Sequence, residues 1–153
     1  MSATLEKKDC SILITDDDGD CREVLREIVE MQGFHALLAS CGEEAIDIVR
    51  EGVVHLALFD MHMPTMTGLE VLQVVRQFNA RLPAILVTGD PNETVVRQAY
   101  LQHVYSVIPK PISKNIVLYT VLRALDRFYG MVTRATEKKE DGPLGRPAPP
   151  DLQ

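Results

Sequence analysis

Six side chains in this sequence have the types and positions for chemistry on a charged, oxygen-rich group. They are Asp16, Asp17 and Asp18 after "SILIT", Asp60 after "LALF", Thr88 at the end of "AILVT", and Lys110 after "VIP". Each has an ordinary structural explanation alone. An Asp after an apolar run turns the chain, a Thr suits a strand end, and a Lys before a proline is a solvated loop charge. Their shared setting is the stronger signal, because each one ends or follows a short apolar run of strand length. Carboxylates brought together repel one another and call for a cation. Hard oxygen donors favour Mg²⁺, with Mn²⁺ as a substitute, and an octahedral Mg²⁺ keeps positions open for phosphate oxygens. A hydroxyl and an ammonium group beside that ion would hold the remaining oxygens of a phosphoryl group. Such a set is built for phosphoryl transfer, where positioning and charge neutralisation supply most of the catalysis. The acceptor would be an aspartate, whose carboxylate can attack phosphorus to give an acyl phosphate.

These residues need a frame that brings them together. Strands are predicted at residues 11–15, 34–39, 55–59, 83–88 and 104–108, the third of them running into Asp60. Between and after them lie segments with helical spacing at 21–33, 42–52, 68–79, 92–102 and about 113–128. Asp20 and Glu23 fit a capping-box start for the first helix and Gly33 its end, and Ser113 fits the N-cap of the last. Met63-Pro64 keeps the loop after Asp60 out of helix, and Gly68 is read as letting the next helix begin clear of the site. Five strands alternating with five helices predict an α/β fold, a mostly parallel doubly wound sheet covered on both faces. In such a sheet ligands bind at the carboxyl ends of the strands. That edge is where Asp16, Asp17 and Asp60, with Asp18 adjacent, fall together with Thr88 and Lys110.

Composition narrows the function classes. The chain has 153 residues, 46% apolar and 25% charged, which suits one soluble domain with a real core. A net charge of -6 argues against a general nucleic-acid-binding surface. No apolar stretch has the length for membrane insertion, and "MSATLEKKDC" carries no signal-peptide core, so the expected location is cytoplasmic. The odd set Cys10, Cys21 and Cys41 reads as reduced thiols, and the four histidines lack zinc-site spacing. The predicted layout is an N-terminal extension at 1–9, one domain at 10–130, and a charged, then Pro- and Gly-rich segment at 131–153, read as a disordered tail or a linker remnant.

The motifs "ILITDDD", "LALFDMHMPTMTGLEVL", "ILVTGD" and "VIPKP" stand in an order and spacing that resemble the receiver domains of two-component response regulators, over roughly residues 10–128. The resemblance implies a flavodoxin-like, five-stranded receiver topology. It assigns Asp60 as phosphoacceptor, Asp16 and Asp17 as the acidic pair that holds Mg²⁺ with Asp60, and the backbone carbonyl of His62 as a further ligand. Thr88 matches the switch hydroxyl, Lys110 the lysine that pairs with the acyl phosphate, and Pro111 the following proline, whose peptide bond is often cis. Asp18 matches no required role and reads as a bystander or outer-shell group. His62 and Asp90 occupy positions that tune phosphoryl lifetime. The implied donor is a histidine kinase or histidine phosphotransfer protein. The implied output is association with a downstream protein, or homodimerisation, through the face of the fourth helix, fifth strand and last helix.

The sequence departs from the pattern at Val107, where relatives often place Tyr or Phe as a rotameric switch. A valine has no ring to swing, so Tyr105, placed by strand alternation on the same face, is weighed as a substitute, with a packed or surface tyrosine as the preferred reading. A phosphatase of the haloacid-dehalogenase type would need a second Asp where this chain has His62, which argues against it. The remaining alternative is a receiver-like interaction module that works independently of phosphorylation.

Overall fold

The computed structural model describes residues 5–131. Strands β1 (Ser11–Thr15), β2 (His35–Ala39), β3 (Leu56–Asp60), β4 (Ala84–Thr88) and β5 (Ser106–Pro109) alternate with helices α1 (Gly19–Met31), α2 (Gly42–Glu51), α3 (Gly68–Val75), α4 (Glu93–Leu101) and α5 (Lys114–Tyr129). All four pairings are parallel, in the order β2-β1-β3-β4-β5. This is the α/β doubly wound sheet that the alternation predicts. β3 and β4 are buried at every position and β1 at all but its first, whereas the edge strands β2 and β5 are not. Continuous apolar runs therefore mark the centre of the sheet, where helices cover both faces.

Two apolar layers sandwich the sheet. Ile12, Ile14, Leu56, Leu58, Ile85, Val87 and Ile108 point to the face covered by α1 and α5. Leu13, Ala57, Phe59, Ala84 and Leu86 point to the face covered by α2, α3 and α4. The order of strands reverses between β1 and β3, so the crevice beyond their carboxyl ends lies at the topological switch point. Asp16 immediately follows β1 and Asp60 is the last residue of β3.

Several local expectations are corrected. α1 begins earlier than expected, and its N-cap is Asp18, whose carboxylate accepts from the Asp20 N–H at 3.0 Å. Asp18 satisfies an otherwise unpartnered helix-end donor. α3 stops at Val75 and not near residue 79, with α4 and β5 also shorter than their apolar patterns. Gly68 does not stand clear of the site: a Cβ there would lie 2.5 Å from the Asp60 carbonyl oxygen and 3.1 Å from Leu86 Cδ1. The start of α3 is packed directly on the end of β3, and only glycine permits that approach. Of the segment expected to be a tail or linker, residues 132–153 lie outside the described residues.

Gly68→Ala is accordingly expected to lower unfolding free energy by about 1–3 kcal/mol in urea denaturation. Gly89→Ala, where an added Cβ meets nothing within 4 Å, should stay within about 0.5 kcal/mol of the parent. Equal stability of the two variants would contradict the close-packing account.

Candidate functional site

The backbone at the strand ends gathers the acids. Asp16 is fully buried, with its N–H donating to the Ala39 carbonyl at 3.2 Å and its Oδ1 accepting from the Asp18 N–H at 2.9 Å. Asp17 is exposed at the mouth, and Asp60 is buried at 4% exposure. One carboxylate oxygen from each of Asp16, Asp17 and Asp60 lies within 4.8 Å of the others. Lys110 reaches in from the end of β5, its Nζ 3.2 Å from Asp16 Oδ2 and 3.4 Å from Asp60 Oδ1. The Lys110 backbone N–H donates to the Thr88 carbonyl at 2.8 Å, which ties this lysine to the end of β4. The Lys110–Pro111 peptide is cis.

Thr88 is buried on the α3–α4 side of the sheet. Its hydroxyl oxygen accepts from the Asp90 N–H at 3.0 Å, leaving the hydroxyl proton available to another acceptor. His62 is exposed, and its backbone N–H donates to Asp60 Oδ1 at 3.3 Å. Asp90 is exposed in the loop before α4, where its carboxylate accepts from the Asn92 amide at 3.2 Å. Thus Asp16, Asp17, Asp60 and Lys110 converge, with Thr88 held beside them through Lys110. His62 and Asp90 stand at the rim.

Val107 lies apart from the acids. It pairs with Leu86 across β4 and β5 and packs on the α2–α3–α4 side. Tyr105 does not share that face. It stands immediately before β5, its N–H already bonded to the Ala84 carbonyl at 2.7 Å, and it packs on the α1–α5 side with its ring 6.3 Å from that of Phe128. Tyr105 is thus a packed tyrosine, the reading preferred from the sequence, and does not stand in for the missing aromatic.

Arg22 was not singled out from the sequence. From the first turns of α1 its guanidinium donates to the Asp16 carbonyl at 2.6 Å and pins the loop that carries the acidic pair. The available signal is its position near the start of the helix that follows the acids, from which a long side chain folds back over the loop.

The electrostatics follow from the crowding. Burial pushes the Asp60 carboxyl up to about 7 and the Asp16 charge adds to it, while Lys110 and the His62 N–H oppose the rise without cancelling it. Burial pulls the Lys110 ammonium down, but Asp16 and Asp60 outweigh it and leave its pKa raised. The Cys21 thiol is pushed up to about 12, first by burial and then by the neighbouring Asp16 carboxylate. The three cysteines are free, and Cys21 and Cys10 are held as thiols.

This donor set fits a small hard cation. In an octahedron with bonds of about 2.1 Å, ligand oxygens stand about 3.0–4.2 Å apart, within the spread of the three carboxylates. Asp16 Oδ2 is buried and accepts no hydrogen bond, so a cation would also satisfy an oxygen that otherwise has only Lys110 nearby.

Residues 12–122 match the family model described as the response regulator receiver domain. The chain belongs to this family. Among curated proteins, the receiver domain is 26% identical over 119 residues to response regulator RR06 of Streptococcus pneumoniae, covering 78% of this chain and 54% of that protein. It is 35% identical over 82 residues to the transcriptional regulatory protein CpxR of Escherichia coli, covering 54% of this chain and 34% of that protein. The chain thus spans about half or less of the length of these relatives. Among solved structures, a CheY-like receiver domain protein from Methanospirillum hungatei superposes with a TM-score of 0.74 at 26% identity, covering 77% of this chain and 94% of that one. A chain in the CheX–CheY–BeF3–Mg²⁺ complex from Borrelia burgdorferi superposes with a TM-score of 0.72 at 24% identity, covering 76% and 89%. The receiver domain is the signalling module of two-component systems. Among its described residues, no helix is long and apolar enough to cross a membrane.

The raised Asp60 pKa gives a signed prediction for the metal-free protein. Between pH 3.8 and about 7 the folded receiver domain keeps a proton that the unfolded chain releases, so this group's contribution to stability is lost as pH rises through that window. In EDTA, Asp60→Asn should be more stable than the parent at pH 8, by on the order of 1 kcal/mol or more. The difference should shrink toward pH 4. Urea unfolding across pH checks this, and a variant less stable than the parent at pH 8 would contradict it.

Proposed function

We propose that Asp60 accepts a phosphoryl group in a Mg²⁺-dependent reaction, and that the acyl phosphate changes how the domain associates with other proteins. The observation that carries this reading is the single ammonium of Lys110 lying between Asp16 and Asp60 at the switch point of the sheet. In the transfer step an Asp60 carboxylate oxygen forms a bond to phosphorus. The donor's bond to phosphorus breaks, and its electron pair leaves with the donor, a histidine kinase or histidine phosphotransfer protein. Asp16, Asp17, Asp60 and the His62 carbonyl would hold Mg²⁺, which, when bound, offsets the negative charge of the phosphoryl oxygens. Lys110 supplies a second positive charge and, once Asp60 carries the phosphoryl group, a donor to a phosphoryl oxygen. Thr88 supplies its free hydroxyl proton from the other side. Each signal is one such event, with hydrolysis of the acyl phosphate as the reset. The domain therefore acts as a phosphoacceptor with self-catalysed chemistry, not as a turnover enzyme.

The working unit in this reading is the cytoplasmic receiver formed by residues 10–130, flanked by the extension at 1–9 and the segment at 131–153. Output passes through α4, β5 and α5 to a downstream protein or a second copy, without direct nucleic-acid contact or membrane insertion. One observation favours a second reading, an interaction module that binds whether or not Asp60 is modified. Val107 pairs with Leu86 of β4 and packs on the α2–α3–α4 side, with no ring to couple Thr88 to that surface.

Incubation with Mg²⁺ and acetyl phosphate, followed by intact-mass measurement, separates the readings. The parent should gain one phosphoryl mass in Mg²⁺, lose the gain in EDTA, and show none in Asp60→Asn. An equal gain in the variant, or none in the parent, would refute Asp60 as acceptor. At the rim, Asp90→Ala removes an anion from the approach path of an anionic donor and should speed phosphoryl uptake by about twofold to tenfold. Unchanged rates of uptake and loss would exclude a tuning role for Asp90.

A further inference from the structure

The charge of this protein is divided between its two sides. The exposed surfaces of α1 and α2 carry eight carboxylates against one exposed basic residue, Arg50. On α4 and α5 the balance reverses: Arg97, Lys114, Arg123 and Arg127 are exposed, against the single exposed acid Glu93. The pairing differs as well. Arg26 and Arg50 are each bonded to carboxylates of their own helices, whereas none of the four basic residues on α4 and α5 forms an ion pair among the described residues.

The same face is apolar where it is not basic. Tyr100 is 79% exposed and Leu101 66%, with Val96, Ile116 and Tyr119 also open to solvent. Between the C-terminal ends of the two helices lies a cleft of about 340 Å³, lined by Tyr100, His103, Val104, Tyr105, Arg127 and Phe128. Tyr105, displaced from the face of Val107, has its place here, packed edge-on against Phe128.

We propose that the α4–β5–α5 face docks an acidic segment bearing an apolar or aromatic anchor, and that it is not a self-complementary dimer interface. This rests on the reading of α4, β5 and α5 as the output surface and assigns the chemistry of its partner. A two-fold symmetric contact sets the same patch against itself. Here that would bring unpaired arginines against arginines with one glutamate per copy to offset them, and like charges across an interface are costly. An acidic partner removes that repulsion and pairs the free guanidiniums. Its anchor would fill the cleft while Arg127 and Arg97 meet its carboxylates, which gives both charge complementarity and a buried contact.

The test uses the full chain and a synthetic amphipathic peptide that alternates Glu with Leu and Phe, together with its Gln-for-Glu counterpart. In amide shift mapping, the acidic peptide should perturb α4, β5 and α5 and leave α1 and α2 unchanged. Its affinity should fall about tenfold in R97E/R127E and in Tyr100→Ala, but not in the control R50E. The Gln peptide should bind about tenfold more weakly, and sedimentation should show a monomer. Asp60→Asn should bind the peptide equally well, so a failed phosphoacceptor assignment would leave these results standing. The proposal is overturned by equal binding of the two peptides, by shifts centred on α1 and α2, or by tighter binding of a short DNA duplex to the same face. Self-association that R97E/R127E or Tyr100→Ala abolishes would make a second copy the occupant and overturn it too.

Discussion

Three carboxylates share the end of the sheet with one ammonium, and the rest of the structure is arranged around that imbalance. Asp16 and Asp60 are buried, Asp17 stands at the mouth, and Lys110 lies within 3.4 Å of both buried acids. One lysine cannot neutralise three negative charges, so the Asp60 carboxyl is pushed up to about 7 by burial and by Asp16. The site is therefore incomplete electrostatically in the bare chain. A cation and a phosphoryl group are the additions that its donors suit, since together they bring positive charge to the acids and oxygens to Lys110 and Thr88.

Holding such a cluster together requires a rigid surround. The central strands supply it by being buried at every position but the first of β1, and their parallel register delivers Asp16 and Asp60 to the crevice where strand order reverses. Backbone contacts then fix the loops. Gly68 brings α3 against the Asp60 carbonyl, Arg22 grips the Asp16 carbonyl, and Asp18 caps α1 in place of facing the site. These contacts restrict where the carboxylates can retreat.

Much of this was legible in the sequence. Short apolar runs ending in Asp, Thr and Lys mark both the strands and the site, because a strand buried on both faces needs apolar residues until it reaches the sheet edge. Periodicity was less reliable at element ends. Alternation back from Val107 put Tyr105 on the same face, yet its ring packs on the α1–α5 side, just before the assigned start of β5 and with its N–H already bonded to the Ala84 carbonyl at 2.7 Å. Asp20 competed with Asp18 as a cap within a run of acids, and spacing alone does not choose between them. Gly68 and Arg22 act through contacts with residues distant in sequence or folded back over a loop. For Gly68 no local pattern encodes the contact, and for Arg22 the one signal is its place in the first turns after the acids.

The route from site to surface also becomes more specific. Val107 belongs to the layer under α4, two strand positions from the level of Thr88, while Tyr105 joins the cleft beside Phe128. On this side of the sheet Val107 offers a small apolar side chain and no ring. The whole account depends on the carboxylates crowding one another in the bare protein. A ¹³C-carboxyl NMR titration of Asp60 in EDTA tests that most directly. The account predicts a midpoint near 7, drawn down when Asp16 is replaced by Asn or when Mg²⁺ is added. A midpoint near the ordinary 3.8 in EDTA, unmoved by either change, would contradict it.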